Sequence, residues 1–312
     1  MAHRNRIITL SLKVAVSFTL LFILISKIGA ERLIQIAKGI SMATFLSSAM
    51  LYIFSIFVSS IRWRLLIMGG IGLKRLFSLY LIGSFFNNLM PGIIGGDAVK
   101  AYYLSKELKQ GDQNLSNPKI SMAIASVFMD RYIGFVALLI IAIIAYPFGQ
   151  KYFRGSYIEW VLPLIILAFV AGSSILFIFR LGNRIGFMSD FYEYLRYYIG
   201  GKGIIIRCLI LSLFIQTITI FSVYIVSRGI GVNVPFYLLS IIVPIVSVIS
   251  TIPVSISGIG VREASFVFLL DPLGVSHAQA ITLSLVWFLS FTAGSLPGLL
   301  FYLKEHQYLT RE

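Results

Sequence analysis

The sequence predicts an all-α polytopic membrane protein: about six full transmembrane helices plus two re-entrant helical hairpins, arranged as an inverted repeat. Three observations carry that prediction. First, 58% of the 312 residues are hydrophobic, 12% are charged and the mean hydropathy is +0.92, whereas soluble domains carry roughly a quarter charged residues. Second, several apolar runs reach the roughly 20 residues that a helix needs to cross hydrocarbon. Third, two other apolar stretches are broken by proline, glycine and charge at corresponding places.

The full spans are expected near Ile7–Ser26, Met42–Ile61, Ile120–Pro147, Tyr157–Phe179, Ile204–Ser227 and Ala278–Leu303. The first run is too long for a secretory signal and is followed at once by Lys27 rather than by a small-residue cleavage site, so it reads as an uncleaved span. The segment 183-NRIGFMSDFYEYLRYY-198 mixes aromatics and charge in the manner of an interfacial amphipathic helix. The whole chain is expected to form one transmembrane domain, with repeat one at about 1–147 and repeat two at about 157–303.

The formal net charge of +14 is not a nucleic-acid signal. Its basic residues cluster at the ends of apolar runs (Arg62, Arg64, Lys74 and Arg75 in one connection, Lys106 and Lys109 in another, Arg180 and Arg184 in a third). That is the distribution of the positive-inside rule. Counted this way, both termini lie in the cytoplasm, in a plasma-membrane protein. The segment 76–104 is then expected to dip in and return, because an outright crossing would place the basic segments 105–119 and 180–203 across the membrane from the basic 62–75 connection.

The two broken stretches, 91-PGIIGGDAVKAYYL-104 and 253-PVSISGIGVREASF-266, align without a gap. Pro91 falls on Pro253, Gly96 on Gly258, and Lys100 on Arg262. The charge count has the first hairpin entering from the cytoplasm and the second from outside. Inverted repeats with matched Gly/Pro interruptions mark transporters, and they point to the binding site. A broken helix leaves backbone groups that hydrocarbon cannot satisfy, so each break must line a cavity or be covered by protein. A helix restarting after Gly96 or Gly260 offers amides and a positive dipole end beside Lys100 or Arg262, which suits a phosphate.

Asp130 and Arg131 lie several turns inside a span, where charge is costly and normally faces a cavity or a partner. A structural ion pair of Arg131 with Asp97 is an equally good reading. Asn87 and Asn88 either line the first tip or bond its broken backbone. Glu263 either serves the site or is a helix-start carboxylate favoured by the macrodipole. Gln216, Thr217 and Thr219 fit a cavity wall or interhelical hydrogen bonds. The lone Cys208 permits no intrachain disulfide, and His3, His277 and His306 have no ligand spacing, so neither a metal nor a cofactor is expected. No nucleophile–base pair, phosphate loop or dinucleotide fingerprint is visible, and the chain is not expected to be an enzyme.

Through PGIIGGD…K, MDR and PVSISGIGVRE, the chain resembles the family named for the transmembrane region of lysylphosphatidylglycerol synthase, which includes stand-alone flippase-like membrane proteins. The resemblance covers nearly the whole chain. It implies movement of lipids or lipid-linked intermediates between leaflets, and it matches the family's motifs at Gly95, Gly96, Asp97, Asp130, Arg131, Gly258, Gly260, Arg262 and Glu263. The full synthase adds a soluble aminoacyl-transfer domain. The sequence in hand runs only to Glu312, so lipid aminoacylation is not expected of it.

The expected function is therefore translocation of a lipid with an anionic or phosphate-bearing headgroup. Lys100, Arg131 and Arg262 would neutralise that headgroup, and Asp97, Asp130 and Glu263 would hold those cations. The rival readings are a secondary transporter of a small solute or ion, a membrane-embedded transferase acting on a lipid phosphate, and a partner of a separate lipid- or glycan-modifying enzyme.

Overall fold

The computed structural model describes residues 38–67, 70–89, 94–111, 118–178 and 201–309, except Pro253 and Ile256, together with Glu31, Gln35 and Arg196 in isolation. The expected first span, the 183–198 helix (bar Arg196) and both break prolines lie outside the described residues.

Helix α1 (Met42–Leu66) starts at Ser41, whose hydroxyl accepts the Thr44 amide and so caps the first turn. Next come α2 (Leu73–Leu89) and α3 (Ile94–Gly111), the two arms of the first broken stretch, and then α4 (Pro118–Gly149). After two 3₁₀ turns, the second half runs through α5 (Val161–Ile178) and α6 (Lys202–Gly229). The second broken stretch forms α7 (Phe236–Thr251) and α8 (Val261–Leu270). Helix α9 (His277–Ser295) opens with a capping box between Ser276 and Gln279, and α10 (Pro297–Leu309) continues it almost directly. No strand occurs among the described residues.

Among the described residues, five helical segments are long and apolar enough to cross a membrane: Met42–Leu66, Ile120–Tyr152, Tyr157–Ile175, Gly203–Gly229 and His277–Lys304. They coincide with the five expected spans that fall on described residues. The surface supports the same solvent. Helix α1 turns Met42, Leu46, Met50, Phe54 and Phe57 outward and buries Ser48, Ser55, Ser59 and Ser60. Apolar surface of that extent suits lipid rather than water. The buried small hydroxyls instead let helices approach, and Ser48 bonds both Ser222 of α6 (2.8 Å) and Ser290 of α9 (2.7 Å).

The first broken stretch is a helical hairpin. Contacts pair Arg75 with Glu107, Gly83 with Lys100, and Asn87 with Gly96, so positions rise along one arm as they fall along the other. Gly83 and Gly96 set its closest crossing, since a methyl group on Gly96 would collide with the Gly83 carbonyl oxygen. In the second stretch α8 has only 10 residues, about 15 Å of helix, or half of a hydrocarbon core of about 30 Å. The turn before it holds Ser257 (φ 50°), Gly258 (φ 75°) and Gly260 (φ 85°) in left-handed conformations. Glycine supplies two of the three because it carries no Cβ to clash there.

Each hairpin organises its own apolar core. Trp63, Leu76, Leu79, Ile82 and Leu104 pack around the first, and Val223, Leu239, Ile242, Phe266 and Leu283 around the second. The helix contacts also match between halves: α1 packs on α6, α4 packs on α7, and α9 with α10 packs on α2.

Candidate functional site

Asp130 is fully buried in the middle of α4. It accepts from Arg62 Nε of α1 at 2.9 Å and from Tyr80 OH of α2 at 2.8 Å, with Lys100 Nζ of α3 3.6 Å away. Arg62 also donates through Nη1 to Ser212 of α6 at 2.7 Å. One carboxylate thus ties five helices together. Lys100 is held further by the ring faces of Tyr80 (3.7 Å) and Trp63 (4.7 Å) and by Asp97 at 3.9 Å. Asp97, in the first turn of α3, bonds Arg131 Nε. The ion pair of Arg131 with Asp97 weighed from the sequence is therefore present.

Burial separates the members of this cluster. The side chains of Arg62, Lys100 and Asp130 are at most 5% exposed, whereas that of Arg131 is 35% exposed. Among the described residues of this cluster, three cations face two carboxylates, which leaves one positive charge in excess. Arg62 is a correction to the sequence reading, which placed it in a cytoplasmic connection. Helix α1 continues to Leu66, so Arg62 sits inside the helix with its guanidinium turned to the core.

The cluster lines a cavity of about 310 Å³, together with Tyr52, Ser84, Asn87 and Gln216. A second cavity of about 370 Å³ adjoins it and shares Tyr52, Arg131, Thr219 and Ser247 with the first. Its other walls include Ser250, Ser257, Arg262, Trp287 and Phe291.

At the first tip, Asn87 accepts the Gly96 amide through its side chain (3.0 Å), and Gly95 lies half-buried in the same turn. Asn88 donates to Ser295 at 3.0 Å. The hydroxyl of Ser257 points at the Asn87 and Asn88 carbonyls, 3.1 and 3.2 Å away, so the two breaks meet.

The second break is wired differently from the first. Glu263 accepts the Gly260 amide at 2.5 Å and Arg262 Nη2 at 2.8 Å, and Ser284 donates to it at 2.7 Å. Arg262 also donates through Nε to Ser284 at 2.9 Å and lies 4.4 Å from the centre of the Phe288 ring. Here cation and anion are neighbours on one helix and cancel. The macrodipole reading of Glu263 describes what its carboxylate does, because it caps its own helix. Of the α6 polar residues, Gln216 donates to the Gly134 carbonyl (3.2 Å) and lines the first cavity with Thr219, while Thr217 and Thr219 donate to their own helix.

Sequence reasoning missed Arg62, Tyr80, Ser84, Tyr52 and Gly83. Arg62 had one usable signal, since it follows Ser55 and Ser59 at helical spacing and thus falls on the polar face of α1. Among the described residues, no group of three or more His, Cys, Asp and Glu side chains is placed to hold a metal.

Comparison with known proteins agrees with this architecture. A family model described as the lysylphosphatidylglycerol synthase TM region matches residues 10–298. A UPF0104 membrane protein of Pyrococcus horikoshii is 23% identical over 337 aligned positions, covering 96% of this chain and 98% of the relative. UPF0104 membrane proteins of Methanothermobacter thermautotrophicus (22% identical, 69% of this chain and 70% of the relative) and Methanocaldococcus jannaschii (26%, 52% and 49%) are also similar.

Proposed function

The chain belongs to the lysylphosphatidylglycerol synthase TM-region family, and from that premise we propose that it moves an anionic lipid between membrane leaflets. The observation that carries this reading is the membrane-buried charge cluster, with its excess positive charge and its partly exposed Arg131, at the junction of two cavities. Buried charge inside a spanning bundle is too costly to keep without use. A net cation beside open space is what a lipid phosphate needs. Arg131 takes the phosphate, Lys100 and Arg62 set the positive potential, and Asp97 and Asp130 hold those cations in place. The amides of the first tip are partly engaged by Asn87, so side-chain charge carries most of the recognition.

The helix pairings support an inverted repeat, since α1 with α6 and the reciprocal packing of each half's last span on the other half's hairpin are what such symmetry produces. In this reading the two hairpins enter from opposite faces of the plasma membrane, and the contact of Ser257 with the first tip joins them in one of the alternating states.

The test is exchange of fluorescently labelled phosphatidylglycerol in liposomes holding the purified chain, read by dithionite quenching, beside Arg131→Ala. Accelerated exchange that Arg131→Ala loses is expected. Folded protein that accelerates no anionic lipid overturns the reading.

A further inference from the structure

The second cavity says what the headgroup carries beyond its phosphate. Among the described residues, charged side chains reach its wall only through Arg131 and Arg262, and no carboxylate lines it. The nearest acids are spent elsewhere: Glu263 on Gly260, Arg262 and Ser284, and Asp97 on Arg131 and Lys100. The rest of the polar wall is hydroxyl, from Thr219, Ser222, Ser247, Ser250 and Ser257, with the Trp287 and Phe291 rings beside it. One donor there is unspent among the described residues: the buried Ser250 hydroxyl has no hydrogen-bond partner. Arg262 is almost fully buried, with Nε and Nη2 hydrogen-bonded to Glu263 and Ser284. An unsatisfied buried donor is expensive, and Ser250 stands on the wall of a space that a ligand can fill.

Resting on the translocation reading above, we propose that the transported lipid is a phosphodiester monoanion whose headgroup continues in uncharged hydroxyls, such as a glycerol or a sugar. Its phosphate sits at Arg131 on the shared wall, and its hydroxyl-bearing end occupies the second cavity. The serine and threonine hydroxyls meet hydroxyl oxygens, and an aromatic face is offered to the carbon skeleton. An ammonium-bearing headgroup is disfavoured, because among the described residues that cavity offers no carboxylate to answer its charge. Specificity follows from the unpaired charge as much as from the favourable contacts. An aminoacylated phosphatidylglycerol, whose ammonium would enter the second cavity, is therefore a poor substrate for this chain.

The experiment measures exchange of labelled phosphatidylglycerol, phosphatidylethanolamine and lysyl-phosphatidylglycerol in liposomes with the full chain, in parallel with uptake of radiolabelled glycerol 3-phosphate. Phosphatidylglycerol is expected to exchange at least tenfold faster than either ammonium-bearing lipid. Ser247→Asp, which places a carboxylate on the shared wall, is expected to narrow that ratio. Equal or faster exchange of lysyl-phosphatidylglycerol by the unaltered chain overturns the proposal while leaving translocation standing. If no lipid exchanges, or only glycerol 3-phosphate moves, translocation itself fails. Should Ser247→Asp not fold, the ratio for the unaltered chain decides alone.

Discussion

The two breaks share a sequence pattern and differ in wiring. At the first, Lys100 is shared between Asp130 of α4 and, at longer range, Asp97 of its own helix, and Arg131 of α4 reaches back to that same Asp97, so the charges bind α1, α2, α3, α4 and α6 into one network with a positive remainder. At the second, Arg262 is answered by Glu263 next to it, and the Glu263 carboxylate also closes the start of α8. The lesson is that a cation after a Gly/Pro break does not by itself make a phosphate site. What matters is whether its counter-charge is local. A local partner neutralises the cation before any ligand arrives, whereas a shared network leaves charge over and makes it depend on how the helices are arranged.

If that contrast is right, Asp130→Ala is the most damaging single change, because it takes the carboxylate from Arg62 and leaves Lys100 only the longer contact to Asp97. A loss of about 3–5 kcal/mol is expected, the range for breaking a buried ion pair, seen as failure to purify or a collapsed melting temperature in detergent. Glu263→Ala strands only Arg262, which keeps Ser284 and the Phe288 face. Its cost should fall at about 3 kcal/mol, the lower end of the same range, and below that of Asp130→Ala in the same assay. The opposite order would break the comparison.

Gly96→Ala drives a methyl group into the Gly83 carbonyl, and forced overpacking of this kind costs about 1–3 kcal/mol. The added methyl in the first hairpin should lower the melting temperature, whereas Gly72→Ala, with open space at the Cβ position, should not. Ser257→Ala removes the hydroxyl contact between the breaks, and about 1 kcal/mol is expected for one hydrogen bond. Its sharper readout is the exchange rate, which should change in either direction if the contact belongs to one alternating state.

Much of this was legible in the sequence for physical reasons. Hydropathy marked the spans because lipid demands continuous apolar length. Pro and Gly marked the breaks because they interrupt backbone pairing, and Asp130 and Arg131 stood out because charge is rare at that depth. Arg62 was misplaced because a cation near the end of an apolar run looks like a loop residue, and only the extra helical turn to Leu66 makes it internal. Tyr80 and Gly83 gave no signal, since a tyrosine or glycine in an apolar run is ordinary until a carboxylate or a crossing glycine arrives from another helix. The different wiring of the breaks was half visible. Glu263 has alanine as its counterpart at position 101 in the first break, whereas Asp97 of the first break falls on Ile259 of the second, so the acid moves from before the cation to directly after it.

The central claim is that Arg131, the most exposed cation of a cluster with one positive charge in excess, is the headgroup site, and one comparison of two paired arginines tests it. Phosphatidylglycerol exchange would be measured for the unaltered chain, Arg131→Gln and Arg75→Gln. Arg75 is a matched control, since it pairs with Glu107 (2.6 Å) at the open end of the same hairpin, away from both cavities. The account predicts that Arg131→Gln loses most of the exchange while melting near the unaltered chain, and that Arg75→Gln keeps it. Folded Arg131→Gln protein exchanging lipid at the unaltered rate would contradict it.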